Sequence, residues 1–128
     1  MWKDIEGYEE LYMVSDMGEV KSLPKNHRYG SKVEKILKGR AEKDGYLRVN
    51  LSKNGKTKDF RIHRLVAAAF IPNSKNKPTV NHINADKLDN RMSNLEWATY
   101  SEQNEHLYKM GLKDLSYMPK LIKARWKK

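Results

Sequence analysis

Polar side chains at fixed spacing between residues 80 and 104 constrain the fold of this 128-residue chain more than any other feature. His82 lies in the run Val80-Asn81-His82-Ile83-Asn84, and Asn94 follows twelve residues later in a region rich in turn-forming residues. Gln103 and Asn104 come nine and ten residues after Asn94. A fold that contains this stretch must present a histidine and several amides from different local elements.

Local signals predict two strands and a helix for the same stretch. Residues 77–84 and 95–97 favour short strands on either side of a loop. Thr99 and Glu102 have the spacing of a capping box, which predicts a helix over residues 100–111. The predicted order of elements is therefore ββα.

Three runs of residues in this region resemble the HNH, or His-Me finger, nucleases of the homing endonucleases. They are His63-Arg64-Leu65-Val66-Ala67, Asn81-His82-Ile83 and Asn94-Leu95-Glu96-Trp97. The resemblance covers residues 61–104 and implies a ββα-metal fold that hydrolyses phosphodiester bonds. We therefore expect an α+β protein with a small antiparallel sheet module followed by a ββα-metal nuclease core.

The resemblance assigns catalytic roles to two residues. His82 matches the general base, which takes a proton from the attacking water. Imidazole suits this task because it titrates near neutrality and can accept a proton once a backbone carbonyl or an amide holds its other nitrogen. Asn94 matches the middle residue of the motif, whose implied role is to fix the loop between the strands and so orient the histidine.

The resemblance also implies one divalent metal ion, Mg²⁺ or Mn²⁺, as the cofactor. The family holds the metal with the residue before the histidine and one on the helix, which correspond to Asn81 and Gln103. Gln103 stands where asparagine is expected, so Asn104 is an alternative after a shift of one residue, and His106 is a further candidate on a similar helical face. Neutral amides bind a hard cation weakly, so a slower, retuned or silent site is among the alternatives.

A second pattern covers residues 2–22. It reads Trp-Lys-Asp-Ile-x-Gly-Tyr-Glu and then Tyr-x-Val-Ser-x-x-Gly-x-Val-x-Ser. The pattern resembles the NUMOD4-like module that precedes the nuclease core in phage and intron-encoded homing endonucleases. Residues 12–15 and 19–22 are predicted to form a hairpin around the turn signal Ser-Asp-Met-Gly.

Three further strands are predicted in the middle of the chain, at residues 36–38, 45–51 and 57–62. The last two are joined by Asn54-Gly55, a strong hairpin signal, and the three strands are expected to form one small antiparallel sheet. The basic residues on and beside this hairpin make a ribbon narrow enough to enter a major groove: Arg48, Lys53, Lys56, Lys58 and Arg61. The alternative for this ribbon is an ordinary solvated edge.

Residues 63–70 have a helix-forming composition and end before Pro72, which cannot continue a helix. We expect this helix to form part of the hydrophobic core. His63 lies beside apolar neighbours, so it is predicted to be a buried histidine with a satisfied hydrogen bond and is left out of the catalytic set.

The net charge of +10 favours an anionic partner, and double-stranded DNA is the expected one. Half of this charge lies in residues 111–128, where six basic residues stand against one acidic residue. Lys120, Lys123 and Arg125 in this tail are predicted to contact phosphates. The alternative is a basic terminus that only aids solubility.

No apolar stretch approaches the roughly 20 residues that a bilayer span requires, and no signal peptide pattern opens the sequence. A cytoplasmic protein without membrane contact is therefore expected, and the resemblance implies that a phage or another mobile element encodes it. The chain has no cysteine, so we expect neither disulfides nor a structural zinc held by thiolates.

The sequence predicts a metal-dependent DNA endonuclease with a β module over residues 1–55, a nuclease core over 56–110 and a basic tail over 111–128. One site in an expected monomer favours nicking, and the resemblance implies 5′-phosphate and 3′-hydroxyl ends. The alternative is a catalytically silent DNA-binding protein on the same scaffold. An RNA-binding module is a third class, for which Tyr46 alone is thin support. Related nucleases continue into further DNA-binding helices, so the chain is either a minimal nuclease or a fragment.

Overall fold

The first 37 residues build a four-stranded antiparallel sheet in the computed structural model, which describes residues 1–24, 32–109 and 111. Its strands lie in chain order: β1 (Trp2–Asp4), β2 (Tyr12–Ser15), β3 (Val20–Ser22) and β4 (Lys35–Leu37). The predicted hairpin is present as β2 and β3, which pair Tyr12 with Ser22 and Val14 with Val20. Strand β1 was not predicted, because its three residues are too few to show a period.

The predicted sheet of three central strands is partly wrong. Strand β4 pairs with β3 in the first sheet. The second sheet has the order β5 (Arg40–Ala41), β6 (Leu47–Lys53) and β7 (Lys56–Arg61), with β5 at one edge. The chain passes from one sheet to the other at Gly39, where an added Cβ would lie 2.7 Å from Cδ1 of Ile62. A side chain at the crossing point would therefore force the buried Ile62 side chain to shift.

The β6–β7 hairpin forms as predicted. Asn54 and Gly55 at its tip have φ angles of 53° and 75°, as a two-residue turn of type I′ requires. Val49 and Leu51 are buried on one face of β6, whereas Arg48 and Asn50 lie on the other. The two-residue alternation therefore places a polar face opposite the core.

Helix α1 (Ile62–Phe70) connects all three sheets through one hydrophobic core. Its buried side chains, Ile62, Leu65 and Val66 among them, pack against β2, β6 and β8. The largest fully buried side chains of the core come from both halves of the chain: Val14, Val20, Leu51, Val66 and Val80. The division of the chain at residue 55 stays a prediction, and it falls at the β6–β7 turn beside this shared core.

The predicted ββα unit is present. It consists of β8 (Thr79–His82), β9 (Leu95–Ala98) and α2 (Tyr100–Lys109), with a short 3-10 helix (Met92–Asn94) leading into β9. Both bonds of the capping box form, since Thr99 N donates to Glu102 Oε1 at 2.9 Å and Glu102 N donates to Thr99 Oγ1 at 3.1 Å. This cap fixes where α2 begins and so which of its side chains face β8.

The basic tail and the expected absence of a membrane span both involve residues that the structure does not describe. The basic tail, with Lys120, Lys123 and Arg125, lies outside the described residues. Within the described part of the chain, no helix is long and apolar enough to cross a membrane.

Candidate active site

A cleft of about 450 Å³ opens between β8 and α2. Asn81 and His82, the last two residues of β8, form one wall, and Gln103 and Asn104 of α2 form another. Lys87, from the loop after β8, and Tyr46, just before β6, complete the polar lining. The structure therefore brings the predicted base and the three predicted metal ligands into one cleft.

His82 has the hydrogen bonding that a general base needs. Its Nε2 atom lies 2.7 Å from Oδ1 of Asn90, and only 4% of its surface is exposed. An amide oxygen can only accept a hydrogen bond, so Nε2 carries the proton and Nδ1 retains a lone pair. Burial lowers the pKa of His82 below its ordinary value, and the bond to Asn90 opposes this shift. The ring is therefore held neutral, with one nitrogen able to take a proton.

Asn90 was not predicted from the sequence. The sequence did predict that a carbonyl or an amide would hold the second nitrogen of His82, but it did not identify the group. Asn90 lies eight residues after His82 in a loop without periodicity, and it is buried with 4% of its surface exposed. A buried asparagine in a polar turn region would have been the signal, and burial is visible only in the fold.

Asn94 makes the contacts that its predicted role as loop organiser requires. Its Oδ1 accepts a hydrogen bond from Asn84 N at 3.0 Å, and its Nδ2 donates to Asn84 Oδ1 at 3.0 Å and to Asp89 O at 2.9 Å. Asn94 thus ties Asn84, at the start of the loop, to Asp89, and the next residue, Asn90, contacts the His82 ring. One asparagine therefore contacts the loop and the other contacts the ring.

Asn81 and Gln103 line the cleft and bond their amide nitrogens to internal acceptors. Nδ2 of Asn81 donates to Oε1 of Glu96 at 3.0 Å, and Nε2 of Gln103 donates to the carbonyl of Val80 at 2.9 Å. Each amide nitrogen is committed to an internal acceptor, so each carbonyl oxygen is the atom left for a ligand in the cleft. Oxygen donors of this kind fit Mg²⁺ or Mn²⁺.

The cleft has no cluster of charged ligands to compete with these amides. Across residues 1–24, 32–109 and 111, no group of three or more His, Cys, Asp and Glu side chains could hold a metal ion. A cation here would depend on neutral oxygens and on the charge of a bound phosphate. Asn104 also lines the cleft and remains the alternative to Gln103.

The outside candidate, His106, has a different position. Its Nε2 lies 2.7 Å from the carbonyl oxygen of Ile83, to which it donates, and it is not among the residues that line the cleft. This bond ties α2 to the residue that follows β8. The geometry gives His106 a bracing contact rather than a place beside Asn81.

His63 is buried, as predicted, but the expected hydrogen bond to it is absent among the described residues. Its ring stacks on Tyr46 at 4.9 Å between centroids with an interplanar angle of 19°, and lies 4.8 Å from the ring of His82. Burial lowers the pKa of His63 to about 3, and the neighbouring His82, Arg61 and Arg64 side chains act in the same direction. The His63 ring is therefore neutral and packs against the ring of His82.

The predicted basic ribbon divides into paired and exposed residues. Arg48 and Arg61 both bond to Asp44, and Arg48 also lies 3.5 Å from Asp59. The hydrogen bond from the Tyr46 backbone is the largest cause that lowers the pKa of Asp44 below its ordinary value, and the Arg48 guanidinium lowers it further. The two arginines thus form a network on the polar face of β6 and β7.

The lysines of the ribbon lie nearer the hairpin tip. Nζ of Lys53 donates to the carbonyl of Gly7 at 2.7 Å, which links the tip to the first sheet. Lys56 and Lys58 are exposed. A further cation that sequence reasoning missed is Lys87, whose Nζ lies 2.7 Å from the carbonyl of Asp44 and 4.8 Å from the centroid of Tyr46.

Two family models match the chain. The model described as the NUMOD4 motif matches residues 1–52, and the model described as HNH endonuclease matches residues 60–105. The first covers the four-stranded sheet and most of β6, and the second covers α1, β8, β9 and the first six residues of α2.

Relatives that are named as endonucleases agree with these matches. The chain is 38% identical over 124 residues to DNA endonuclease I-HmuI of Bacillus phage SP01, covering 97% of this chain and 67% of that protein. It is 45% identical over 111 residues to the uncharacterized HNH endonuclease L247 of Acanthamoeba polyphaga mimivirus, covering 83% of this chain and 25% of that protein.

The fold also matches a solved structure, described as DNA binding and cleavage by the HNH homing endonuclease I-HmuI. The TM-score is 0.76 at 40% identity, over 91% of this chain and 62% of that chain. The chain therefore spans less than two thirds of that solved chain and a quarter of the mimivirus relative.

Proposed function

Because this chain belongs to the HNH homing endonuclease family, we propose that it hydrolyses phosphodiester bonds in double-stranded DNA with the help of one divalent cation. One observation carries this proposal. His82 has Nε2 bonded to Asn90 at 2.7 Å and lines a cleft that also contains the amides of Asn81 and Gln103. A neutral histidine and oxygen ligands in one cleft are what metal-assisted hydrolysis of a phosphodiester needs.

His82 acts as the general base in this proposal. Its Nδ1 takes a proton from a water molecule as the water oxygen forms a bond to phosphorus. The bond from phosphorus to the 3′ oxygen breaks, which leaves a 5′-phosphate and, after protonation of the leaving oxygen by solvent, a 3′-hydroxyl. Asn90 is the positioning residue, because its oxygen keeps the proton on Nε2 and stabilises the ring when both nitrogens are protonated.

Asn81 would hold the cation together with Gln103 or Asn104. When bound, Mg²⁺ or Mn²⁺ supplies positive charge beside the phosphate oxygens that become more negative during the reaction. Lys87 is exposed at the same cleft, so its ammonium group is placed to attract the phosphate of the strand that enters. Asn94 keeps the intervening loop in place.

DNA outside the cleft would be held by backbone contacts that carry no sequence information. Lys56 and Lys58 are the best suited members of the ribbon, because they are exposed at the hairpin. Arg48 and Arg61 are less suited, since Asp44 and Asp59 offset their charge. We propose that a monomer acts inside the cell and cuts one strand per encounter, because one cleft holds one base.

Cleavage of supercoiled plasmid tests the proposal. The full chain is incubated with Mg²⁺ or Mn²⁺, with a chelator control, and compared with His82→Ala. Metal-dependent relaxed circles that disappear in the variant are expected. Linear product at early times would contradict nicking by a monomer and indicate paired cuts.

The competing function is a silent DNA-binding protein on the same scaffold. Binding is measured on the same plasmid by mobility shift at increasing salt. If the chain binds DNA but leaves it intact with either metal, the nuclease proposal is wrong and the binding function replaces it. His82→Ala serves as the matched control, because it should keep DNA affinity in both cases.

A further inference from the structure

The turn of the first sheet, residues 15–18, lies directly against the residue that holds the base. Gly18 has a φ angle of 87°, and a Cβ added to it would lie 2.9 Å from both Cβ and the carbonyl oxygen of Asn90. In addition, Met92 N donates to the carbonyl of Asp16 at 2.7 Å. The turn thus contacts the loop at Asn90 and two residues later.

The turn is itself rigid. Ser15 is buried, with 3% of its surface exposed, and its Oγ accepts hydrogen bonds from Met17 N at 3.2 Å and Glu19 N at 3.0 Å. Gly18 N donates to the carbonyl of Ser15 at 3.1 Å. The backbone of the turn is therefore held by hydrogen bonds within the turn, in addition to its contacts with the loop.

We propose that this turn is a positioning element for the general base, acting through Asn90; the inference rests on the proposed function of His82. Asn90 is buried between Gly18 and the His82 ring, so its Oδ1 cannot keep the 2.7 Å bond to Nε2 if its backbone moves. The first module then sets the tautomer of the base in the second, in addition to any contact that it makes with DNA. Gly18 is required because any side chain there would displace Asn90.

The test compares two glycine variants that carry the same backbone strain. Gly18→Ala introduces a Cβ against Asn90, whereas Gly7→Ala, at a φ angle of 86° in the same module, meets nothing within 4 Å. We expect Gly18→Ala to lower kcat for plasmid nicking by on the order of 10- to 100-fold without changing DNA affinity. Gly7→Ala should stay within about twofold of the unmodified chain.

A second variant leaves Gly18 unchanged and alters the other contact. Met92→Pro deletes the N–H that donates to Asp16 and places the proline ring Cδ against the Asp16 carbonyl, so it forces the turn and the loop apart. The backbone before it suits proline, because Arg91 has φ −64° and ψ 140°. We expect a loss of kcat in the same direction, with the circular dichroism of the unmodified chain, so that the effect does not depend on whether Gly18→Ala folds.

A readout without cleavage separates this inference from the proposed function. Nitrogen-15 spectra of the histidine rings report which nitrogen of His82 carries the proton. We expect protonation at Nε2 in the unmodified chain and in Gly7→Ala, and a mixture of tautomers in Gly18→Ala and Met92→Pro. If those two variants keep the Nε2 tautomer and match Gly7→Ala in rate, the inference is overturned. If the unmodified chain does not cut DNA, the proposed function fails, and the spectra still decide whether the turn holds the ring.

Discussion

Asn81 and Glu96 pair across β8 and β9, with Nδ2 of Asn81 3.0 Å from Oε1 of Glu96. The carboxylate can only accept, so it selects the orientation of the amide in which the nitrogen faces Glu96 and the oxygen stays available to a ligand. In the proposed metal site, Glu96 would support Asn81 from behind, as residues next to metal ligands commonly do.

Loss of this carboxylate should weaken metal binding. In Glu96→Ala the Asn81 amide loses its partner and rotates freely, so we expect the Mg²⁺ concentration for half-maximal nicking to rise by about 10-fold or more. Glu96→Gln is the matched control, because its amide oxygen can still accept the bond. Equal metal requirements in Glu96→Ala and the unmodified chain would show that Asn81 does not depend on Glu96.

The helix ligand can be identified by comparing two neighbouring amides. Nε2 of Gln103 donates to the carbonyl of Val80, which leaves the amide oxygen for a ligand in the cleft. We therefore expect Gln103→Ala to raise the metal concentration required for nicking more than Asn104→Ala does. Nicking is measured over a series of Mg²⁺ and Mn²⁺ concentrations. The reverse order of effects would assign the ligand to Asn104.

Contacts to DNA should depend on exposed lysines more than on paired arginines. Lys56→Ala and Lys58→Ala should each weaken DNA binding at low salt and reduce the slope of log affinity against log salt by about 1. Arg48→Ala should leave the slope nearly unchanged and lower the thermal midpoint, because Asp44 and Asp59 each lose one of their arginine partners. A salt slope that falls equally in all three variants would place Arg48 on the DNA.

The charge of Glu102 should make helix α2 sensitive to acid. Backbone N–H of Thr99, and then Lys77, lower the pKa of Glu102 to about 2 from its usual 4.5. A carboxyl whose folded-state pKa is depressed stabilises the fold above the unfolded value and loses that contribution as pH falls through the folded value. The thermal midpoint of Glu102→Gln should therefore lie below that of the unmodified chain at pH 7, and the gap should close between pH 4.5 and about 2. Glu6→Gln, at an exposed site, controls for the loss of one negative charge; a gap that persists at acid pH would rule out the charge as its cause.

Sequence reasoning succeeded where a local rule decides the structure. Thr99 and Glu102 identified the start of α2, and Asn54 with Gly55 identified the hairpin, because a cap and a type I′ turn depend only on neighbouring residues. Asn81, His82 and Gln103 met in one cleft because the ββα order, once correct, fixes which side chains face inward.

Sequence reasoning could not predict contacts between residues that are distant in the chain. Asn90 is one of several asparagines between residues 81 and 94, and only its burial between His82 and Gly18 separates it from the others. Strand β4 joined the first sheet because backbone bonds to β3 exclude it from the second, and backbone bonds leave no trace in composition. The ion pairs of Arg48 depend on Asp59 from the neighbouring strand, so its side chain could not be assigned from periodicity alone.

The shared core has a consequence for how such chains exchange parts. Val14 and Val20 from the first sheet pack in the same cluster as Leu51, Val66 and Val80. A chimaera joined at the β6–β7 turn would bring together halves of that cluster selected in different backgrounds, and mismatched volumes in a close-packed interior destabilise the fold. Recombination between relatives is therefore best tolerated outside the segment from Val14 to Val80, which should be inherited and engineered as one unit.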